Sequence, residues 1–366
     1  MEKFKMLPLS EIAELVIDYR GKTPKKLGGD WSVQGYRAIS AKNVKTRQIV
    51  QSDSIRYLDE SLYRKWMKEE IKRGDILITS EAPFGQLFYW DSDEKIVLSQ
   101  RLFALRCKKE FYSPYIFHYM TSDAFQSDME CRATGTTVTG LRQPELLKCR
   151  ISVPSFEKQK IIADTLSTID AKIENNKRIN HHLAEMAESI WKEKYANLKP
   201  NSTLGNFFPI ITGKKDANVA RGGQYPFFSC SQGISYTDAY SFEGNAILLA
   251  GNGDFNVKTY NGKFEAYQRT YVLIPNNEYR LGFLYYAIKH FLSVITAGDR
   301  GSVIKYITKG DIENLNLYMP DDESDFELFN QFVSNTAQNN AEIERLTETR
   351  DTLLPKLMSG ELSVID

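Results

Sequence analysis

The feature that most constrains this chain is that it repeats itself. Gly135 to Pro154 reads GTTVTGLRQPELLKCRISVP, and Gly301 to Pro320 reads GSVIKYITKGDIENLNLYMP. Without a gap, Gly135 falls on Gly301, Leu141 on Ile307, Leu146 on Ile312, Ile151 on Leu317 and Pro154 on Pro320. Apolar positions are kept and nearly everything between them changes. Upstream, with small slips, Tyr36–Ser40 faces Tyr225–Ser229 and Gly74–Ile78 faces Gly244–Leu248. Gln100-Arg101 before LFAL faces Gln268-Arg269 before TYVL, and Ile116–Tyr119 faces Phe283–Tyr286. Short apolar runs bounded by Gly, Asn and Asp predict strands. The aromatic segments 113–121 and 279–292 predict short helices against a sheet. Two mixed α/β globules follow, residues 1–155 and 198–320.

Each globule is followed by a long helical pattern, in segments 156–197 and 321–366. In the first, positions alternately four and three apart are Ile162, Leu166, Ile169, Ile173, Asn176, Asn180, Leu183, Ala187 and Ile190. In the second they are Phe332, Thr336, Asn339, Ile343, Leu346, Arg350, Leu353 and Leu357. That spacing is a heptad seam. A helix of ~40 residues is about 60 Å long and cannot bury its stripe alone. The expectation is an antiparallel coiled-coil pair separating two globules, a pseudo-two-fold α+β fold. Allowing a three-residue slip, Asn176 corresponds to Asn339, and a buried Asn there would set register. Pro355 is expected to kink or end the second helix.

A length of 366 residues with 42% hydrophobic and 26% charged residues fits a multi-domain globular chain. No apolar run approaches a membrane span, and no basic-then-apolar leader opens the sequence. The cysteines Cys107, Cys131, Cys149 and Cys230 form no CxxC pair, and there are four histidines. No metal site and a reducing, cytoplasmic setting are expected. The net charge of zero hides an asymmetry. Residues 1–155 carry 25 basic and 20 acidic side chains, 200–320 carry 11 and 9, and 321–366 carry 3 and 11. Two mildly basic blocks are masked by one acidic segment, and local sign governs attraction to a phosphate backbone.

Catalytic motifs fail on inspection. Gly21-Lys22-Thr23 lacks the leading glycine of a phosphate loop, because Val16 stands there. Gly251-Asn-Gly253 lacks the third glycine of a dinucleotide fingerprint, and neither a Gly-x-Ser-x-Gly elbow nor His-Glu-x-x-His occurs. Ser113-Pro114-Tyr115 is one proline short of the adenine-gripping tetrapeptide of amino-methyltransferases. Asp91, Asp93, Glu94 and Lys95 are expected to form a polar turn. A chain without its own catalytic chemistry is the expectation.

The loops instead carry groups suited to a polyanion. Arg20, Lys22, Lys25 and Lys26 lie on a Gly/Pro-rich loop beside Tyr19 and Trp31; Lys42, Asn43, Lys45 and Arg47 follow a strand. The second globule offers Lys214, Lys215, Ser231, Gln232, Asn252, Asn256 and Lys258. Both copies add a Gly-Thr/Ser loop, with Thr136, Thr137 and Arg142 in one, and Arg300, Ser302 and Lys305 in the other. Cationic side chains neutralise phosphates, and Asn, Gln, Ser and Arg also read base edges.

With these features the chain resembles the specificity subunits of type I restriction–modification systems. The resemblance covers essentially its whole length. It is carried by the repeat, by FEKQKIIADTLSTIDAKIENNKRINHHLAEM (156–186) and by the terminal RDTLLPKLMSGEL (350–362). It implies two target-recognition domains, each reading one half of a bipartite site on double-stranded DNA. It also implies that the helices form a spacer docking two modification (methyltransferase) subunits, and that restriction subunits join them. S-adenosylmethionine and ATP would belong to those partners and no cofactor to this chain. A methyltransferase or nuclease acting alone is disfavoured by the missing motifs. A coiled-coil scaffold without DNA binding remains the alternative.

Overall fold

The computed structural model describes residues 4–135, 139–297 and 306–362. It forms two compact units, residues 1–172 with 345–366, and residues 173–344. These bounds cut through both long helices, because part of each helix shares a core with each globule.

In unit 1 a four-stranded antiparallel sheet has the order Ala13–Asp18, Leu102–Cys107, Ile76–Thr79, Leu87–Tyr89. Its central strands are apolar at nearly every position because both faces are covered, which removes the need for alternation. Ile76, Ile78, Phe103 and Leu105 point into one core, against Tyr115, Ile116 and Met120 of the helix Ser113–Met120. Leu77, Leu102 and Ala104 point into another, against Trp66 and Leu98. Each such fully buried Leu, Ile, Phe or Met side chain contributes about 1.5–3 kcal/mol. Pro114 starts the helix well, its missing N–H being one no intrahelical partner would meet. The Tyr115 hydroxyl donates to the Ser152 carbonyl at 2.6 Å, fixing the helix to the ribbon Lys5–Pro8 with Arg150–Val153.

Unit 2 repeats this plan in a six-stranded sheet: Ile210–Thr212, Thr270–Leu273, Phe242–Ala250, Val257–Ala266, Tyr225–Phe228, Ser235–Thr237. Ile247, Leu249, Tyr271 and Leu273 face the helix Leu281–His290, while Ala246, Leu248 and Val272 face the opposite cluster. The ribbon Ser202–Thr203 with Asn316–Leu317 matches its counterpart in unit 1. One parallel pairing also recurs: Ala38 and Ile39 beside Val97 and Leu98, Phe227 and Phe228 beside Glu265 and Ala266. In unit 2 a single strand, Val257–Ala266, makes both pairings. In unit 1 it is interrupted by the turn at Asp91–Lys95, so the sheet becomes two. That turn is the polar one expected, with Arg73 paired to Asp91 and Asp93, and Lys95 to Glu70.

The long helices are Phe156–Tyr195 and Ser324–Ser359. Every seam position named from the sequence is buried or half-buried. Within unit 2 they run antiparallel, with Asn176 against Glu342, Asn180 against Asn340 and Lys194 against Asp325. Both helices also use the seam to pack on the globules. Ile162, Ala163 and Leu166 join Leu354, Leu357 and Met358 in the unit 1 core; Ala187, Trp191 and Phe332 lie in that of unit 2. Asn176 and Asn339, which correspond in the repeat, are both half-buried and bonded across the pair, though not to each other: Asn339 donates to Asn180 Oδ1 at 2.8 Å, and Asn176 donates to Glu342 Oε2. Pro355 lies inside the helix and does not end it. Burial of Leu354, Leu357 and Met358 outweighs one missing hydrogen bond, and the helix stops at Gly360, which takes φ +76°.

Candidate nucleic-acid interface

The structure separates the cationic loop residues into those that hold the loops together and those that face outward. Arg20 makes a two-pronged contact with Asp18 (Nε to Oδ1 2.9 Å, Nη2 to Oδ2 2.8 Å) and lies 4.0 Å over the Phe103 ring. Lys22 donates to the Trp66 carbonyl at 2.7 Å and covers the Tyr19 ring, and burial lowers its pKa. Lys26 donates to the Gly21 carbonyl. Lys25, Lys42, Lys45 and Arg142 are exposed.

Asn43 and Arg47 were expected among the DNA contacts, and both are engaged elsewhere. Asn43 is fully buried. Its Oδ1 accepts from the Ser40 backbone and hydroxyl, while its Nδ2 faces Val50 O, Gln51 O and Ser54 Oγ. Both ends of the amide are occupied, which makes it the internal brace of the loop. Arg47 sits in a tight hairpin turn at φ 69° and points inward. It donates to Asp170 Oδ2 (2.7 Å), Thr121 Oγ1 (2.8 Å) and His118 Nδ1 (3.3 Å). Arg350 reaches the other Asp170 oxygen at 3.0 Å. Since Nδ1 of His118 accepts, the proton sits on Nε2, facing Ser167 Oγ at 3.0 Å. Burial first, then the Arg47 and Arg350 cations, hold His118 well below the usual imidazole pKa.

What unit 1 presents outward is a cleft of about 410 Å³ lined by Trp31, Ser40, Lys42, Ser54, Arg56 and Arg101, among others. The Arg56 guanidinium lies 5.3 Å over the Trp31 ring, and Arg101 Nε is 3.3 Å from Glu81 Oε1. Three cations and an indole face on one concave wall suit a nucleic-acid backbone with its bases. Arg56 and Arg101 were not among the sequence candidates. For Arg101 a signal existed, its place in the repeated Gln-Arg dipeptide; for Arg56 none did.

In unit 2 the side chains of Asn256 and Lys258 knit two loops together. Asn256 is buried and donates to the Cys230 and Asp254 carbonyls; Lys258 donates to Asn256 Oδ1 and to the Ser231 carbonyl. Burial lowers the Lys258 pKa. The loop so braced exposes Ser231 and Gln232, with Gln232 Nε2 3.3 Å from Asp254 Oδ2. Lys214 and Lys215 are exposed on a neighbouring loop, and Asn252, half-buried, bridges to Tyr306. Thr136, Thr137, Arg300, Ser302 and Lys305 lie outside the described residues.

Burial pushes the Cys149 and Cys107 thiols up to about 12, the opposite of an activated nucleophile. Among the described residues no three His, Cys, Asp or Glu side chains are grouped to hold a metal ion, and no helix is long and apolar enough to cross a membrane.

The model of the type I restriction modification DNA specificity domain matches residues 1–185 and 199–348. The specificity subunit of the type I restriction enzyme EcoDI of Escherichia coli is 38% identical over 168 residues. That match covers 44% of this chain and 38% of the relative, well under half its length. The MjaIX specificity subunit of Methanocaldococcus jannaschii is 23% identical over 343 residues, 80% of this chain and 78% of that one. In fold, the chain is similar to the crystal structure of a type I restriction–modification S subunit from M. genitalium. The TM-score is 0.62 at 18% identity, covering 97% of this chain and 96% of the other.

Proposed function

The chain belongs to the family of type I restriction–modification DNA specificity subunits, and from that premise we propose that it reads an asymmetric, bipartite site on double-stranded DNA. In this reading each globule is a target-recognition domain for one half-site. The helices are a spacer on which two modification (methyltransferase) subunits dock, with restriction subunits completing the enzyme. S-adenosylmethionine and ATP act on those partners, and this chain supplies no catalytic group. The observation that carries the reading is a backbone plan repeated between the units with unlike loops: Ser40–Asn43 in one, Ser229–Gln232 in the other. Equal scaffolds with unequal surfaces fit two readers of different sequence.

Methylome sequencing of a host expressing the chain with its modification subunit tests this directly. The expected result is a methylated motif of two unlike half-sites of about 3–5 bp, separated by an unread gap of about 5–8 bp, since readers on one duplex face sit about one helical turn apart. A single continuous palindrome would overturn the bipartite reading. Assembly of the methyltransferase without DNA binding would instead favour a coiled-coil protein scaffold.

A further inference from the structure

Gln100-Arg101 in unit 1 and Gln268-Arg269 in unit 2 occupy the same backbone position. In unit 1 the Ser99 N–H donates to the Ile39 carbonyl (2.8 Å), Ser80 N–H to the Arg101 carbonyl (2.9 Å) and Leu141 N–H to the Ser80 carbonyl (3.0 Å). In unit 2 Tyr267 donates to Phe228 (2.9 Å), Gly251 to Arg269 (2.9 Å) and Ile307 to Gly251 (2.8 Å). The pair Leu141 and Ile307 is the one that the ungapped sequence repeat aligns. The same hydrogen-bond framework, with one bond accepted by the arginine's own carbonyl, thus places each arginine at the end of a core strand, next to the loop that follows Ile39 or Phe228. Both arginines are exposed.

Their neighbours differ. Arg101 shares its cleft with Lys42, Arg56 and Trp31. Arg269 lies beside the Ser229–Gly233 loop, where Cys230 Sγ is 3.5 Å from the Arg269 carbonyl. Two half-sites of different sequence require base-reading groups that differ between the units. A group kept in both suits what any two half-sites have in common, the sugar–phosphate backbone. A guanidinium is the side chain whose planar fork fits a phosphate. We infer that Arg101 and Arg269 are matching phosphate contacts, one per half-site, that set each unit's register on the duplex, while the unlike residues around them read bases.

This inference rests on the DNA-binding reading above, and the test separates the two. The full chain, assembled with its modification subunits, is titrated across a salt series with a duplex bearing the methylome-defined target and with an unrelated duplex. Wild type is compared with Arg101→Ala, Arg269→Ala and the corresponding Lys variants, each first matched to wild type by thermal melting. Each Ala variant should weaken binding to both duplexes by the same factor and lower the log–log salt slope by about 0.9, the value of one phosphate contact. Each Lys variant should restore the slope, and the methylated motif should stay the same in all four. An unchanged slope in an Ala variant, beside a steep one in wild type, would overturn the inference and leave the DNA-binding reading intact. So would a change in the bases methylated. Wild type without salt-dependent binding to either duplex would overturn both.

Discussion

Asp170 receives two guanidinium groups, Arg47 from a globule loop and Arg350 from the second helix, and each is mostly buried. Removing one partner of such a pair leaves charges without compensation. Asp170→Ala should therefore destabilise unit 1 by on the order of 3 kcal/mol, measured by urea unfolding, whereas breaking an exposed pair such as Lys95–Glu70 should cost far less. His118, in the same cluster, is neutral when folded and takes up a proton in the unfolded chain below its ordinary value of 6.5. The unfolded state then binds more protons, so this contribution is present above that pH and is lost as pH falls. The slope reaches at most about 1.4 kcal/mol per pH unit. His290, partly buried in unit 2, shifts in the same direction. His118→Gln should accordingly remove only its own share of the fall in melting temperature between about pH 6.5 and 5. A profile identical to wild type would mean that His118 titrates alike in the folded and unfolded chain.

At the scale of the element, the helix pair is apolar where it meets the globules and mixes apolar and amide side chains between. Asn180 accepts from Asn339 and donates to Asn340, and Asn176 donates to Glu342. Amides satisfied only in one alignment hold register at the expense of stability. Asn180→Leu with Asn339→Leu should raise the melting temperature and broaden the range of gap lengths methylated, scored with duplexes of stepped spacing. A lower melting temperature would show that the amide pair stabilises the helices outright. Pro355 makes the complementary point. A local breaker survives inside a helix when the residues around it are core, so Pro355→Ala should leave the helix bounds unchanged and stabilise it modestly.

For the whole molecule, the continuity of two long helices makes their length the variable on which half-site separation depends in the proposed reading. Inserting four residues, about one turn, in both helices should lengthen the preferred gap by one or two base pairs, read from the methylome. A gap indifferent to helix length would remove the spacer role. Exchanging residues 198–320 for those of a relative should change one half-site alone.

The repeat, the strands with apolar runs such as ILIT and LFAL, and both long helices were legible in the sequence. Apolar periodicity is a local code, and burial rewards it wherever the chain goes. The division of the charged residues was not legible. Lys42 and Arg47 lie five positions apart in one loop, yet one faces solvent and the other is drawn inward by Asp170, 123 residues away. Asn43 looks like a base reader and is a brace. Arg56 becomes part of a cleft only because its strand pairs with Tyr36–Ile39. The partner of Asn339, Asn180, was not legible for the same reason, since helix register depends on how the ends pack on each globule. Sequence alone determined where apolar surface must be hidden. Only the tertiary structure decided which polar groups meet, because a hydrogen bond or ion pair depends on a few tenths of an ångström between residues that the chain order keeps far apart.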